Sequence, residues 1–152
     1  MFAARRVVEA GIIAELARRI TDEQVAALRR FVAREHEAGR NRDRRTAIRL
    51  SGEFHLEIAR LMRNEPLLVF LRALISRTSL IVAVYEMPGS AMCSHEEHGA
   101  LLDRLAAHDL SGAVRYMDEH LRRLEDSLDL SAGKRRPVDL QEVFSRMATG
   151  RR

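Results

Sequence analysis

The stretch from Ser94 to Leu130, SHEEHGALLDRLAAHDLSGAVRYMDEHLRRLEDSLDL, decides the fold. Its apolar residues recur at intervals of three and four, which predicts two amphipathic helices joined by a tight turn around Asp109. His98 and His120 each lie on the apolar stripe of their helix, and each is eleven residues from Asp109. Two antiparallel helices rise equally from a shared turn, by ~1.5 Å per residue, so the two imidazoles should face each other.

A third histidine has the same setting upstream. His55 is followed at helical spacing by Ile58 and Met62, so it also lies on an apolar stripe. Three imidazoles directed into one helical core predict a metal or ligand site, because each buried ring needs a polar partner. Imidazole nitrogens suit zinc, nickel, copper or iron, and three of them leave a position open for water or a ligand oxygen. Ser51 precedes His55 by one helical turn and can present its hydroxyl to the same region.

The remaining pattern predicts an all-α fold, an antiparallel bundle of about six helices. Four helices precede the hairpin, over about residues 3–20, 21–37, 44–63 and 66–85. A capping box at Thr21 and Gln24 opens the second, and Gly52 inside the third indicates a close helix contact or ligand approach. We expect one domain over residues 1–130, followed by a polar linker and tail over 131–152 in which residues 138–147 can add a short C-terminal helix.

The fourth predicted helix is apolar on nearly all sides, so we expect it to be central or to lie in a subunit interface. The run Ser76-Arg77-Thr78-Ser79 interrupts it. Arg77 shares an apolar stripe, and a buried guanidinium without a partner is costly. Either an anionic ligand or an acidic side chain such as Glu53 or Glu97 should therefore meet Arg77. The polar interruptions also argue against a membrane span.

Charge and cysteine content narrow the class of protein. The net charge is +4, but the excess arginines lie in short segments without interleaved aromatic residues, which is typical of solvated loops rather than a nucleic-acid surface. The single Cys93 excludes an intramolecular disulfide. The first residues lead directly into an amphipathic helix with no secretory signal, so we expect a cytoplasmic protein.

The ordered motifs of this chain resemble a known family. Over residues 2–130 the chain is similar to the FCD domain, the C-terminal effector domain of FadR-type GntR transcription regulators. The resemblance implies an antiparallel helical bundle that dimerises and binds a small effector, commonly a carboxylate, often beside a divalent metal. The motifs that carry it are Arg5-Arg-Val-Val-Glu9, Ser51-Gly-Glu-Phe-His55, Asn64-Glu-Pro-Leu67, Ser94-His-Glu-Glu-His98 and Met117-Asp-Glu-His-Leu121.

The resemblance also implies roles for individual residues. The metal ligands of the family fall on His55, His98 and His120, and zinc or nickel are the favoured ions. The usual aspartate of the family falls on Ser51, so this chain departs from the family there. An organic-acid effector would be met by Arg5, Ser51 and Arg77, beside the metal. The winged-helix DNA-binding half of such regulators is absent from these 152 residues, so we expect no DNA binding by this chain alone.

Two other classes of protein stay open at this point. A three-histidine metal site can activate water, and His108-Asp109 superficially resembles part of a helical metal-dependent hydrolase. That pair lies at the predicted turn, without a positioned base or nucleophile, so we expect no enzyme. Alternatively, the chain is a structural dimer module whose histidines are satisfied core residues.

Overall fold

The computed structural model describes residues 1–87 and 94–129, and over these residues the chain is an all-α bundle. This confirms the predicted fold class. The predicted helix over residues 138–147, and the tail that contains it, lie outside the described residues. The six helices of the described part are α1 (Phe2–Arg19), α2 (Asp22–Arg40), α3 (Arg44–Arg60), α4 (Glu65–Tyr85), α5 (Ser94–Ala106) and α6 (Leu110–Asp126).

Side-chain caps set where the helices begin. The predicted capping box opens α2: the backbone N–H of Gln24 donates to the Thr21 hydroxyl at 3.2 Å, and the backbone N–H of Thr21 donates to the Gln24 side chain at 3.1 Å. Asp43, Asn64 and Asp109 cap α3, α4 and α6, each accepting from the backbone N–H three residues ahead. Asp109 therefore begins the second helix of the predicted hairpin.

The six helices form a closed ring in which α1, α4, α3, α2, α5 and α6 follow one another as packed neighbours. Helix α1 also packs against α3 and α5 across the ring, so it contacts four of the other helices. The largest fully buried apolar side chains fill the space between the helices: Ile13, Leu16, Phe54, Leu71, Leu101, Leu102, Leu105, Met117 and Leu121. All six helices contribute polar side chains to one shared interior region, α4 through Thr78.

Helix α4 lies at the edge of the bundle rather than at its centre. It buries Leu71 and Ile75, while Val69, Phe70 and Leu80 are each more than half exposed. By length and composition α4 could cross a membrane, contrary to the expectation from its polar interruptions, and only 33% of its apolar window is buried. A single such helix is weak evidence for a span, because core helices of soluble proteins pass the same test.

Gly52 allows α3 and α4 to approach closely. A Cβ atom at this position would lie 3.0 Å from Ile75 Cγ2 and 3.0 Å from Ser79 Oγ. The close helix contact predicted at Gly52 is therefore confirmed, and it fixes α4 against the helix that carries His55.

Candidate metal and effector site

The three predicted histidines meet inside the bundle. His55 of α3, His98 of α5 and His120 of α6 are each at most 3% exposed. Their ring centroids lie 4.9 to 5.4 Å apart, and each ring offers a nitrogen within 4.8 Å of the others. The hairpin geometry expected for His98 and His120 is confirmed, and α3 brings His55 to the same level.

A carboxylate faces the Nδ1 atom of each of these three histidines; those of Glu9 and Glu35 are buried, and that of Glu97 is partly exposed. Glu9 of α1 lies 2.5 Å from His55 Nδ1, Glu35 of α2 lies 2.8 Å from His98 Nδ1, and Glu97 of α5 lies 2.6 Å from His120 Nδ1. A carboxylate acceptor holds the proton of an imidazole on Nδ1, which leaves the lone pair on Nε2. The three glutamates therefore fix both the orientation and the tautomer of the rings.

The Nε2 atoms fit a metal ion. Among the described residues, Nε2 of His98 and Nε2 of His120 are buried and have no hydrogen-bond partner. Unpartnered buried nitrogens are unusual in folded proteins and call for an unseen partner. Three neutral imidazoles whose Nδ1 atoms are held by carboxylates form the donor set that zinc and other first-row transition metals prefer.

The electrostatics keep His55 and His120 neutral. Burial lowers the pKa of His55 to about 3, and the neighbouring Glu9 only partly offsets this effect. Burial likewise lowers the pKa of His120, opposed by its hydrogen bond to Glu97. Burial alone would raise the pKa of Glu9, but the charge of Arg5 and the hydrogen bonds from His55 and Arg5 more than compensate, so that pKa is lowered and the carboxylate stays ionised. Protons therefore do not compete with a metal ion for these two rings near neutral pH.

Arg5 extends the site toward an anion. Its side chain is 3% exposed, and its Nε donates to Glu9 at 2.7 Å while Nη1 donates to the Thr78 hydroxyl at 3.0 Å. Its Nη2 is buried without a partner among the described residues. Glu9 accepts hydrogen bonds from both Arg5 and His55, so this carboxylate connects the guanidinium to the histidine cluster. A buried guanidinium with an unused N–H group is suited to a carboxylate ligand.

The other two predicted effector residues lie in different settings. Ser51 is half-buried on α3, one turn before His55, and no carboxylate joins the three histidines from that position. Arg77 is exposed on α4, because the buried face of that helix passes through the next residue, Thr78. The acidic partners considered for Arg77 have other contacts: Glu53 accepts from Arg49, and Glu97 binds His120 and Arg123. The expected interior position of Arg77 was wrong, and Arg5 is the buried guanidinium.

Sequence reasoning missed the carboxylates that hold the rings. Arg5 and Glu9 are four residues apart on α1, a spacing typical of an ion pair on a solvated helix face, but both residues are buried. The burial of Glu35 could have been predicted from the sequence, since it follows Val25 and Leu28 at helical spacing on the buried face of α2. A glutamate in register with an apolar stripe indicates an interior partner for a buried histidine.

Comparison with known proteins adds one result. A family model described as the FCD domain matches residues 1–123, which include α1 to α5 and most of α6. No curated protein gives a significant match to the chain.

Proposed function

The chain belongs to the FCD domain family, and from this premise we propose that it is the effector-sensing and dimerisation unit of a cytoplasmic GntR-type transcription regulator. FCD domains are regulatory ligand-binding modules of such regulators and not enzymes. In this proposal the chain binds a divalent transition metal, zinc or nickel, through His55, His98 and His120. A small organic acid binds beside the metal, and its binding controls the DNA affinity of a winged-helix domain.

One observation carries the metal part of the proposal: buried imidazole nitrogens lie together without partners, while carboxylates hold the opposite ring nitrogens. A purely structural histidine cluster would use both nitrogens of each ring, because an unsatisfied buried polar atom costs roughly 1–3 kcal/mol. The Nε2 atoms of His98 and His120 make no such bonds among the described residues. This favours a ligand-binding cluster over the structural dimer module.

The buried Arg5 supports an anionic effector. Its Nη2 group is unpartnered, and its other nitrogens are fixed by Glu9 and Thr78, so the guanidinium is oriented before a ligand arrives. Ser51 replaces the acidic ligand implied by the family, so the protein supplies three neutral ligands to the metal. None of the three ligands then neutralises the charge of the ion itself, which favours a carboxylate in the open coordination position. Arg77, being exposed, has no part in this pocket.

The direct test is calorimetric titration of the metal-free chain with zinc and nickel, followed by a panel of small mono- and dicarboxylic acids on the metal-loaded protein. We expect binding of one ion per chain and a rise in melting temperature with at least one acid. His98→Ala should abolish tight metal binding. His36→Ala is the matched control, since His36 is exposed on α2 and should leave metal binding unchanged.

Two results would contradict the proposal. If His98→Ala binds metal as tightly as the unmodified chain, the ion lies elsewhere. If the chain binds no metal and no acid changes its melting temperature, the cluster is structural and the sensor proposal fails.

A further inference from the structure

The imidazole ring of His98 is held from two directions. Glu35 lies 2.8 Å from its Nδ1 atom, and the phenyl ring of Phe54 lies against its face. The centroids of the Phe54 and His98 rings are 4.0 Å apart and the ring planes are inclined by 26°, so the two rings are stacked. Phe54 is 0% exposed and His98 is 1% exposed, so the stack is closed to solvent.

This stack differs from the other contact that Phe54 makes with the cluster. Phe54 meets the ring of His55 edge to face, with centroids 5.7 Å apart and planes inclined by 76°. Neutral aromatic pairs prefer such edge-to-face or offset contacts, because ring faces carry negative charge and ring edges positive charge. The stack on His98 is shorter than every ring contact among the three histidines. A close contact between two ring faces is favoured when one of the rings is poor in electrons.

A metal ion on His98 would make its ring poor in electrons. The Nε2 atom of His98 is buried and has no hydrogen-bond partner among the described residues. An ion bound there withdraws electron density from the imidazole, which then carries part of the positive charge. The face of a phenyl ring attracts positive charge within about 6 Å of its centroid, most strongly when both groups are removed from water. The contact between Phe54 and His98 should therefore be stronger in the metal-bound chain than in the metal-free chain.

The geometry points to Phe54 as a positioning residue of the metal site, which orients the His98 imidazole and stabilises its metal-bound form. Phe54 acts through His98, with no contact to the ion required. Only the difference between the two states of the stack adds to metal affinity, because a contact of equal strength in both states would shift no equilibrium. This inference rests on the proposed function, since it concerns the metal at the three histidines.

The first experiment replaces Phe54 alone with phenylalanines that carry one, two or three ring fluorines. Fluorine withdraws electrons from the face of the ring and adds little volume, so the packing of the core is retained. We expect the dissociation constant for zinc to rise with each fluorine, by about tenfold over the whole series. The constant is measured by competition with a chromophoric chelator. A dissociation constant that stays the same across the series would overturn the inference.

The second experiment removes the ring. Phe54→Leu should weaken zinc binding by about tenfold, because no aromatic face then lies against His98. Phe2→Leu is the matched control, since Phe2 is also buried but packs with Val82 and Leu128 in a separate cluster. It should leave zinc binding unchanged, and circular dichroism checks that both variants remain helical. Equal weakening in the two variants would show a general effect of core packing and overturn the inference.

A third measurement tests the stack without metal. In the metal-free chain, the ring current of Phe54 should shift the proton resonances of the His98 ring upfield, and Phe54→Leu should remove this shift. Resonances of His98 that are unaffected by Phe54→Leu would overturn the stacked arrangement.

The outcomes separate this inference from the proposed function. A chain that binds zinc through the three histidines, but whose affinity does not change with fluorination of Phe54, would contradict the inference alone. A chain that binds no zinc would contradict the metal part of the proposed function and this inference with it.

Discussion

Replacing Glu35 with glutamine tests whether the carboxylates behind the histidines support metal binding. The side chains of Glu35 and His98 are each 1% exposed, and the carboxylate lies 2.8 Å from His98 Nδ1. Glutamine keeps the volume and one acceptor oxygen but removes the charge, so folding of the bundle is retained. The substitution therefore separates the electrostatic support of the ligand from its packing.

The magnitude follows from the burial of this pair. Loss of a partner behind a metal ligand costs about 10- to 100-fold in metal affinity, or about 1.4–2.7 kcal/mol. Glutamine still offers an acceptor oxygen to Nδ1 and removes only the charge. We therefore expect Glu35→Gln to weaken zinc or nickel binding toward the lower end of that range.

The assay is competitive titration with a chromophoric chelator, which gives the metal dissociation constant directly. Glu37→Gln is the matched control, since Glu37 lies two residues further along α2 and is exposed. It should bind metal as the unmodified chain does. An unchanged dissociation constant in Glu35→Gln, together with loss of binding in His98→Ala, would refute the supporting role of the carboxylate.

Acid should destabilise the metal-free chain. The pKa of His55 in the folded state, about 3, and the lowered pKa of His120 lie below the ordinary 6.5, so the unfolded chain binds more protons below pH 6.5. The free energy of unfolding should therefore fall as the pH is lowered from 6.5 toward 3. The contribution of His55 is at most about 1.4 kcal/mol per pH unit. Urea unfolding that gives the same free energy at pH 7 and at pH 5 would contradict this. Gly52→Ala should cost about 1–3 kcal/mol, because its Cβ would press on α4. Gly11→Ala, with nothing within 4 Å of its Cβ, should stabilise by about 0.5–1 kcal/mol, and thermal melts that ranked the two in the opposite order would refute the close contact.

Most of the fold follows from short-range patterns. The hairpin of α5 and α6 was predictable because apolar spacing and the Asp109 cap act within a few residues of one another. The same local geometry placed His98 and His120 at one height, which their ring separation of 4.9 Å confirms. The capping box at the start of α2 was predictable for the same reason.

The position of α4 in the bundle could not be predicted from apolar spacing. Its residues are apolar on nearly all sides, so periodicity does not distinguish a central helix from one that presents an apolar face to a partner. Arg77 and Thr78 are adjacent in sequence, and a rotation of the helix by one residue decides which of them points inward. Packing against α1 and α3 directs Thr78 to the interior and Arg77 to solvent.

The sequence by itself determined the helices, their caps and the three histidines on apolar stripes, because these features depend on spacing within single helices. Only the tertiary structure decided that Glu9 of α1 and Glu35 of α2 stand behind rings from α3 and α5. These contacts join residues 46 and 63 positions apart, and no local pattern specifies which helix faces which. The order in which the six helices pack therefore brings three separate histidines into one buried cluster.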